Sequence, residues 1–324
     1  MLENSKITPK DINGVSQIRA ELIMELRNDL EPNEVNYQVI DNIKNFKSNT
    51  IIKGRTLSAK ELRFEGNNQE FLVSGNAFLD EFPFTYSWNK KHGVTFNDES
   101  IVNGTLTLSR ESFKALNVEI PNEMMIGEAN ADFKIALKKD AYPDISVFSN
   151  LVGTELNIKS LDWKKKADES GELLLTMTLK EGPEDINFKL TAPRLKAIAD
   201  FDLSLEGKVK SLNFSNLKIT NKFNGQVKVT PKTSSSGTVI GVTSPELDIR
   251  NYTFSSDNRT SDTVIYLDIS KLIINDLVSL NDLNGKFNNT DIVDSYFTGN
   301  INSCLLYTSP SPRDQRGWRM PSCA

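Results

Sequence analysis

Between Ser149 and Leu190 the chain places an apolar residue at every second position in three separate runs. These are Leu156 and Ile158, then Leu173, Leu175, Met177 and Leu179, then Ile186, Phe188 and Leu190. A period of two is the period of a strand, because successive side chains of an extended backbone point to opposite sides. Each run therefore makes a ribbon with one oily side and one side of Thr, Lys, Asn and Glu. Gly153, Gly171 and the pair Gly182-Pro183 fall between the runs, where the chain must reverse. The stretch reads as an antiparallel meander with one apolar face.

The same signature extends in both directions. Leu62 and Phe64, the turn Gly66-Asn67-Asn68, Phe71 and Val73, then Ala77 and Leu79 predict a hairpin followed by a further strand. Ala129, Ala131, Phe133, Ile135 and Leu137 alternate again, as do Phe201, Leu203 and Leu205, and later Ile265, Leu267 and Ile269. The run Ile18 to Leu26 fits either a strand or one face of a helix. A single short helix is predicted near 109–117: Ser109 can cap it, Glu111 lies in its first turn, and Pro121 stops it. Gly75, Gly104, Gly127, Gly153, Gly207, Gly225, Gly285 and Gly299 read as turn residues standing ahead of strands. Residues 231–237, rich in Ser, read as a loop, and no linker divides 1–303. The fold class is mainly β.

Little in this sequence supports catalysis. The one histidine, His92, sits in Asn89-Lys90-Lys91-His92-Gly93, with the flanks of an exposed turn, and carboxylates fall in turns or on the polar sides of strands. No phosphate-binding Gly loop, nucleophile elbow or metal-ligand spacing is present, so no catalytic residue, metal or cofactor is expected. A net charge of −5 over 324 residues argues against a nucleic-acid partner. From Cys304 the composition turns to CLLYTSPSPRDQRGWRMPSCA, without alternation. Its first part resembles an in-frame translation of a transposon sequencing adapter, so 304–324 is expected to be a non-native, disordered tail. Both cysteines, Cys304 and Cys323, lie in it, and thiol chemistry leaves the argument with them.

One resemblance is carried by the central stretch. Ser149-Asn150-Leu151-Val152-Gly153, then Leu156-Asn157-Ile158, then Leu161-Asp162-Trp163-Lys164-Lys165, then Gly171 and an alternating strand, is similar to the AsmA-like superfamily of Gram-negative envelope proteins. Within it the pattern resembles the central region of the YhdP branch. That resemblance implies an extended, curved, open β-groove, non-enzymatic, in the periplasm and anchored in the inner membrane by an N-terminal helix. On this reading Met1 is an internal start and the sequence is a fragment. The implied cargo is phospholipid, carried between inner and outer membranes, with outer-membrane proteins as candidate further partners.

Under this reading the groove lining is the set of alternating apolar residues named above, from Leu156 to Leu205, and Trp163, Lys164 and Lys165 form a rim near lipid phosphates. The same three residues also fit a solvated strand end with one core aromatic. Likewise a half-apolar strand suits an open groove or a closed sandwich equally well. A structural or adhesive surface module is therefore the rival reading. An outer-membrane barrel ranks below both, because the aromatic residues are scattered rather than gathered in girdles.

Overall fold

The computed structural model describes residues 12–25, 35–52, 54–91, 100–115, 120, 122–138, 140–159, 162–180, 183–204, 208–232, 237–250, 262–288, 294–301 and 304–308. They fall into two compact units, 1–186 and 187–324.

The first unit is built from β1 (Ile12–Ile23), β2 (Asn36–Ser48), β3 (Leu57–Asn67), β4 (Glu70–Leu79), β5 (Phe82–Lys91) and β6 (Ser100–Leu108). These are followed by α1 (Arg110–Ala115), β7 (Met125–Gly127), β8 (Ala129–Leu137) and β9 (Asp144–Ser149). Next come β10 (Thr154–Ile158), β11 (Trp163–Lys165) and β12 (Glu172–Leu179). Each strand from β1 to β6 pairs antiparallel with the next, and β6–β8, β8–β9 and β9–β12 continue the ladder. The ladder runs from β1, paired with β2, to β12, paired with β9. Ile12–Ile23 resolves as a strand, paired along its length with β2 and exposed at every position, while Leu26 lies outside the described residues.

The second unit continues in the same manner. β13 (Pro183–Ala192) spans the division, and β14 (Leu195–Leu203), β15 (Val209–Ile219), β16 (Phe223–Thr230) and β17 (Thr238–Asp248) follow. β18 (Thr263–Ile273), β19 (Ser279–Asn288), β20 (Tyr296–Ile301) and β21 (Cys304–Thr308) complete it. Among the described residues the pairs from β14 to β21 are antiparallel except one, since β17 and β18 run parallel. The purely antiparallel expectation is corrected there. A parallel pair needs a long return connection, and residues 249–262 provide it. The mainly β, open meander, with one short helix among the described residues, is thus what the structure shows. The expected tail is corrected in part: Cys304–Thr308 pairs with β20 as a strand, while 309–324 lie outside the described residues.

Gly153 makes a turn ahead of β10, as expected (φ 98°), but five other glycines expected at turns do not make them. Gly75, Gly104, Gly225, Gly285 and Gly299 lie inside strands. Left-handed backbone is instead adopted by Asp80 (φ 55°), Arg194 (62°) and Asn221 (59°), each at a hairpin. The mid-strand glycines answer a different need. A Cβ on Gly104 would lie 2.5 Å from the ring of Phe133, its cross-strand neighbour, and one on Gly285 would lie 2.4 Å from the ring of Phe297. An aromatic ring takes the space that the glycine leaves. Gly207 lies outside the described residues.

The helix is held at both ends by side chains from the meander. The Ser112 amide donates to Ser109 Oγ at 3.2 Å, and Arg55 donates to the Ala115 carbonyl at 3.0 Å. Arg55 also pairs with Asp80 at 2.9 Å, and the Asp80 carboxylate accepts the Thr56 amide at 2.8 Å. That amide first, and the guanidinium second, hold the Asp80 carboxyl below its ordinary value. A depressed folded pKa makes its contribution fully present above the unfolded value of about 3.9 and lost as pH falls through the folded one. Asp80→Asn is therefore expected to be less stable than the parent at pH 7, with the gap closing below about pH 4. Urea midpoints for both proteins at pH 7, 4 and 3 measure it; a pH-independent gap refutes it.

Candidate functional site

The register turns the alternation of single strands into rows that cross the sheet. In the first unit Ile43, Leu62, Gly75, Tyr86, Gly104, Phe133, Val147 and Leu175 are successive partners. Two residues further along lies a second row: Phe64, Val73, Trp88, Val102, Ile135, Ile145 and Met177. Every member of this second row is half-buried. At about 4.8 Å per strand, its seven strands make an apolar track about 29 Å long, at right angles to the chain direction. Its aromatic end is organised by contact: Phe71 meets Trp88 edge-on at 5.2 Å, and Trp88 Nε1 donates to Ser100 Oγ at 3.0 Å. Burial in this face pushes the Tyr86 phenol up to about 12.

The face is not uniform. Ala59, Leu62 and Ala77 are almost fully buried, with Ile43, Phe46, Leu57, Phe84 and Tyr86 packed on them, so the meander fills part of its own apolar side. The second unit repeats the arrangement. Phe201, Leu212, Val229, Ile240, Ile265 and Phe287 form a half-buried row, whereas Leu195, Ile219 and Phe223 form a buried one.

The expected lining residues separate into groups. Leu173, Leu175 and Met177 pair with Ser149, Val147 and Ile145, and together with Leu179 they are half-buried. Ile186 and Leu190 are buried and Phe188 is half-buried, each alternating with exposed neighbours along β13. Phe201 and Leu203 pair with Leu212 and Val209. Leu156 and Ile158 are a correction: β10 pairs with β7 and β11 in a separate three-stranded sheet, so they do not continue the row of β12. Leu205 lies outside the described residues, as does His92.

The rim expectation is corrected for two of its three residues. Trp163 is 2% exposed and Lys165 0%, so neither meets a headgroup. Only Lys164 is exposed, and it pairs with Glu155 at 2.7 Å. The Lys165 ammonium donates to the carbonyls of Leu151 at 2.7 Å, Thr154 at 2.9 Å and Lys166 at 3.0 Å. Burial pulls its pKa below the ordinary lysine value, against the opposing pull of Glu169 and Asp168.

The motif that carried the resemblance supplies this socket. Ser149 Oγ donates to the Asn130 carbonyl at 2.6 Å and accepts the Leu151 amide at 3.1 Å, while Asn150 Oδ1 accepts the Val152 amide at 3.1 Å. Leu151 is thereby turned into left-handed backbone (φ 57°), which aims its carbonyl at Lys165 and at Thr154 Oγ1. Gly153 (φ 98°) then passes so close to the link between β7 and β8 that a Cβ would lie 2.2 Å from the Glu128 carbonyl oxygen. Ser-Asn-Leu-x-Gly and the distant lysine form one polar knot, which fixes the small sheet.

Among the described residues no group of three or more His, Cys, Asp or Glu side chains is placed to hold a metal ion, and no helix is long and apolar enough to cross a membrane. No family model, no curated protein and no solved structure matches the chain.

Proposed function

We propose that the chain is a segment of an AsmA-like envelope protein whose apolar sheet face holds phospholipid acyl chains and lets them slide between inner and outer membranes. On this reading the protein is non-enzymatic and periplasmic, with an inner-membrane anchor outside the residues given. The observation that carries it is the half-buried row from Phe64 to Met177. Withdrawing a CH2 group into water costs about 0.8 kcal/mol, so a lipid tail moves only where apolar contacts are continuous. A track of about 29 Å outreaches one tail, which spans roughly half of a ~30 Å hydrocarbon core. Neighbouring positions along such a track are nearly equivalent, which makes transfer passive; energy and direction come from elsewhere.

The test is lipid content. Protein purified from a Gram-negative host is expected to carry phospholipid, read by mass spectrometry of the organic extract. Leu175→Glu places a charge in the apolar face and is expected to cut that content at least about tenfold. Leu174→Glu, on the opposite and exposed face, is expected to leave it unchanged. Equal occupancy in all three proteins overturns the proposal.

One observation favours the rival, a structural module that binds no lipid. Around Leu62 and Ala77 the face is already filled by Phe84, Tyr86 and their neighbours. Absence of lipid from the parent protein, together with exposure of the chain on intact cells, supports that reading.

A further inference from the structure

We propose that the polar face of β5, β6, β8 and β9 is a binding site for a neutral oligosaccharide. This face carries a concavity of about 520 Å³, within the range of small-ligand sites, with Tyr86, Gly104 and Phe133 lying between its two rows of lining residues. Two cross-strand rows line it. Thr85, Thr105, Asp132 and Phe148 are successive partners, and beside them so are Ser87, Asn103, Lys134 and Ser146. All eight point to one side because their parity is opposite to that of Tyr86, Gly104 and Phe133.

The chemistry of the lining selects the ligand. Thr85 and Thr105 share a hydrogen bond of 2.7 Å, but Ser87, Asn103, Asp132, Lys134 and Ser146 have no side-chain partner among the described residues. Hydroxyl and carboxamide groups both donate and accept, which is what a row of sugar hydroxyls requires. Asp132 and Lys134 stand two residues apart on one strand face and cancel in charge, so neither a phosphate nor a cation is favoured. At one end Phe148 is 45% exposed, beside Leu174, and offers a ring face to the C–H side of a pyranose. An added peptide strand is excluded by position: these four strands are interior to their sheet, with their backbone groups already paired on both sides. The site spans four strands, or about 14 Å, which suits a short chain of sugars better than a single ring. None of this depends on the lipid reading, which concerns the other face.

The experiment is calorimetric titration of the full chain with cellohexaose, chitohexaose and maltohexaose. At least one is expected to bind. Phe148→Ala and Asn103→Ala are each expected to weaken that binding about tenfold or more, at an unchanged urea midpoint. Asp132→Asn keeps shape and volume and serves where a truncation disturbs folding; it is expected to weaken binding as well. Failure of all three sugars to bind overturns the proposal, as does binding that Phe148→Ala, Asn103→Ala and Asp132→Asn all leave intact.

Discussion

Lys165→Met is expected to lower the unfolding free energy by about 2–4 kcal/mol, read from urea denaturation followed by tryptophan fluorescence. The side chain is fully buried, and its ammonium is shared among three backbone carbonyls, two at the start of β10 and one just after β11. Methionine fills the volume but donates nothing. The Leu151 carbonyl keeps Thr154 Oγ1 as a donor and the Lys166 carbonyl keeps the Glu169 amide, whereas the Thr154 carbonyl loses the ammonium. Arginine is expected to fail too, because a rigid fork does not fit a socket built for a compact, three-way donor. The neighbouring Lys164→Met serves as the comparison. Its exposed pair with Glu155 makes a change of under about 0.5 kcal/mol the expected result. If Lys165→Met is as mild as Lys164→Met, the knot does not hold the small sheet.

Gly104→Ala is the second large effect, expected to cost about 1–3 kcal/mol or more. The added methyl would lie 2.1 Å from the Thr85 carbonyl oxygen and 2.5 Å from the Phe133 ring. Both cannot yield: the first belongs to the paired strand, and the second packs edge-on against Phe84 at 5.8 Å. Trimming the ring with Phe133→Leu relieves one clash only, so the double variant is expected to recover part of the loss and to deviate from additivity. Gly241→Ala supplies the contrast. It is also in the middle of a strand, yet a Cβ there meets nothing nearer than 4.0 Å, and a change within about 1 kcal/mol is expected. Equal losses at the two glycines would show that strand propensity, not ring packing, explains Gly104.

Much of this architecture was legible because a strand records its burial in its own sequence. The hairpin around Gly66-Asn67-Asn68, the alternation of Ala129 to Leu137 and the Ser109 cap of the helix could all be read locally. What could not be read is register. No feature of Ile145 or Val102 announces that they meet Ile135, so the half-buried track emerges only once the strands are paired. The same limit explains Leu156 and Ile158, whose alternation is real but belongs to another sheet. Lys165 was misplaced because a lysine beside a tryptophan suits a surface, and its buried role depends on carbonyls aimed by Ser149 and Asn150. The mid-strand glycines were misread since glycine marks close approach as readily as it marks a turn.

In both units the strands pack chiefly against the neighbours they are hydrogen-bonded to, rather than around a shared centre. An edifice of that kind has no fixed size. Inserting or removing a pair of adjoining hairpins alters its reach by about 10 Å without redesigning any other seam, much as rungs are added to a ladder. Length then becomes a trait that selection can adjust separately from stability, a useful freedom for any protein that must match a given gap.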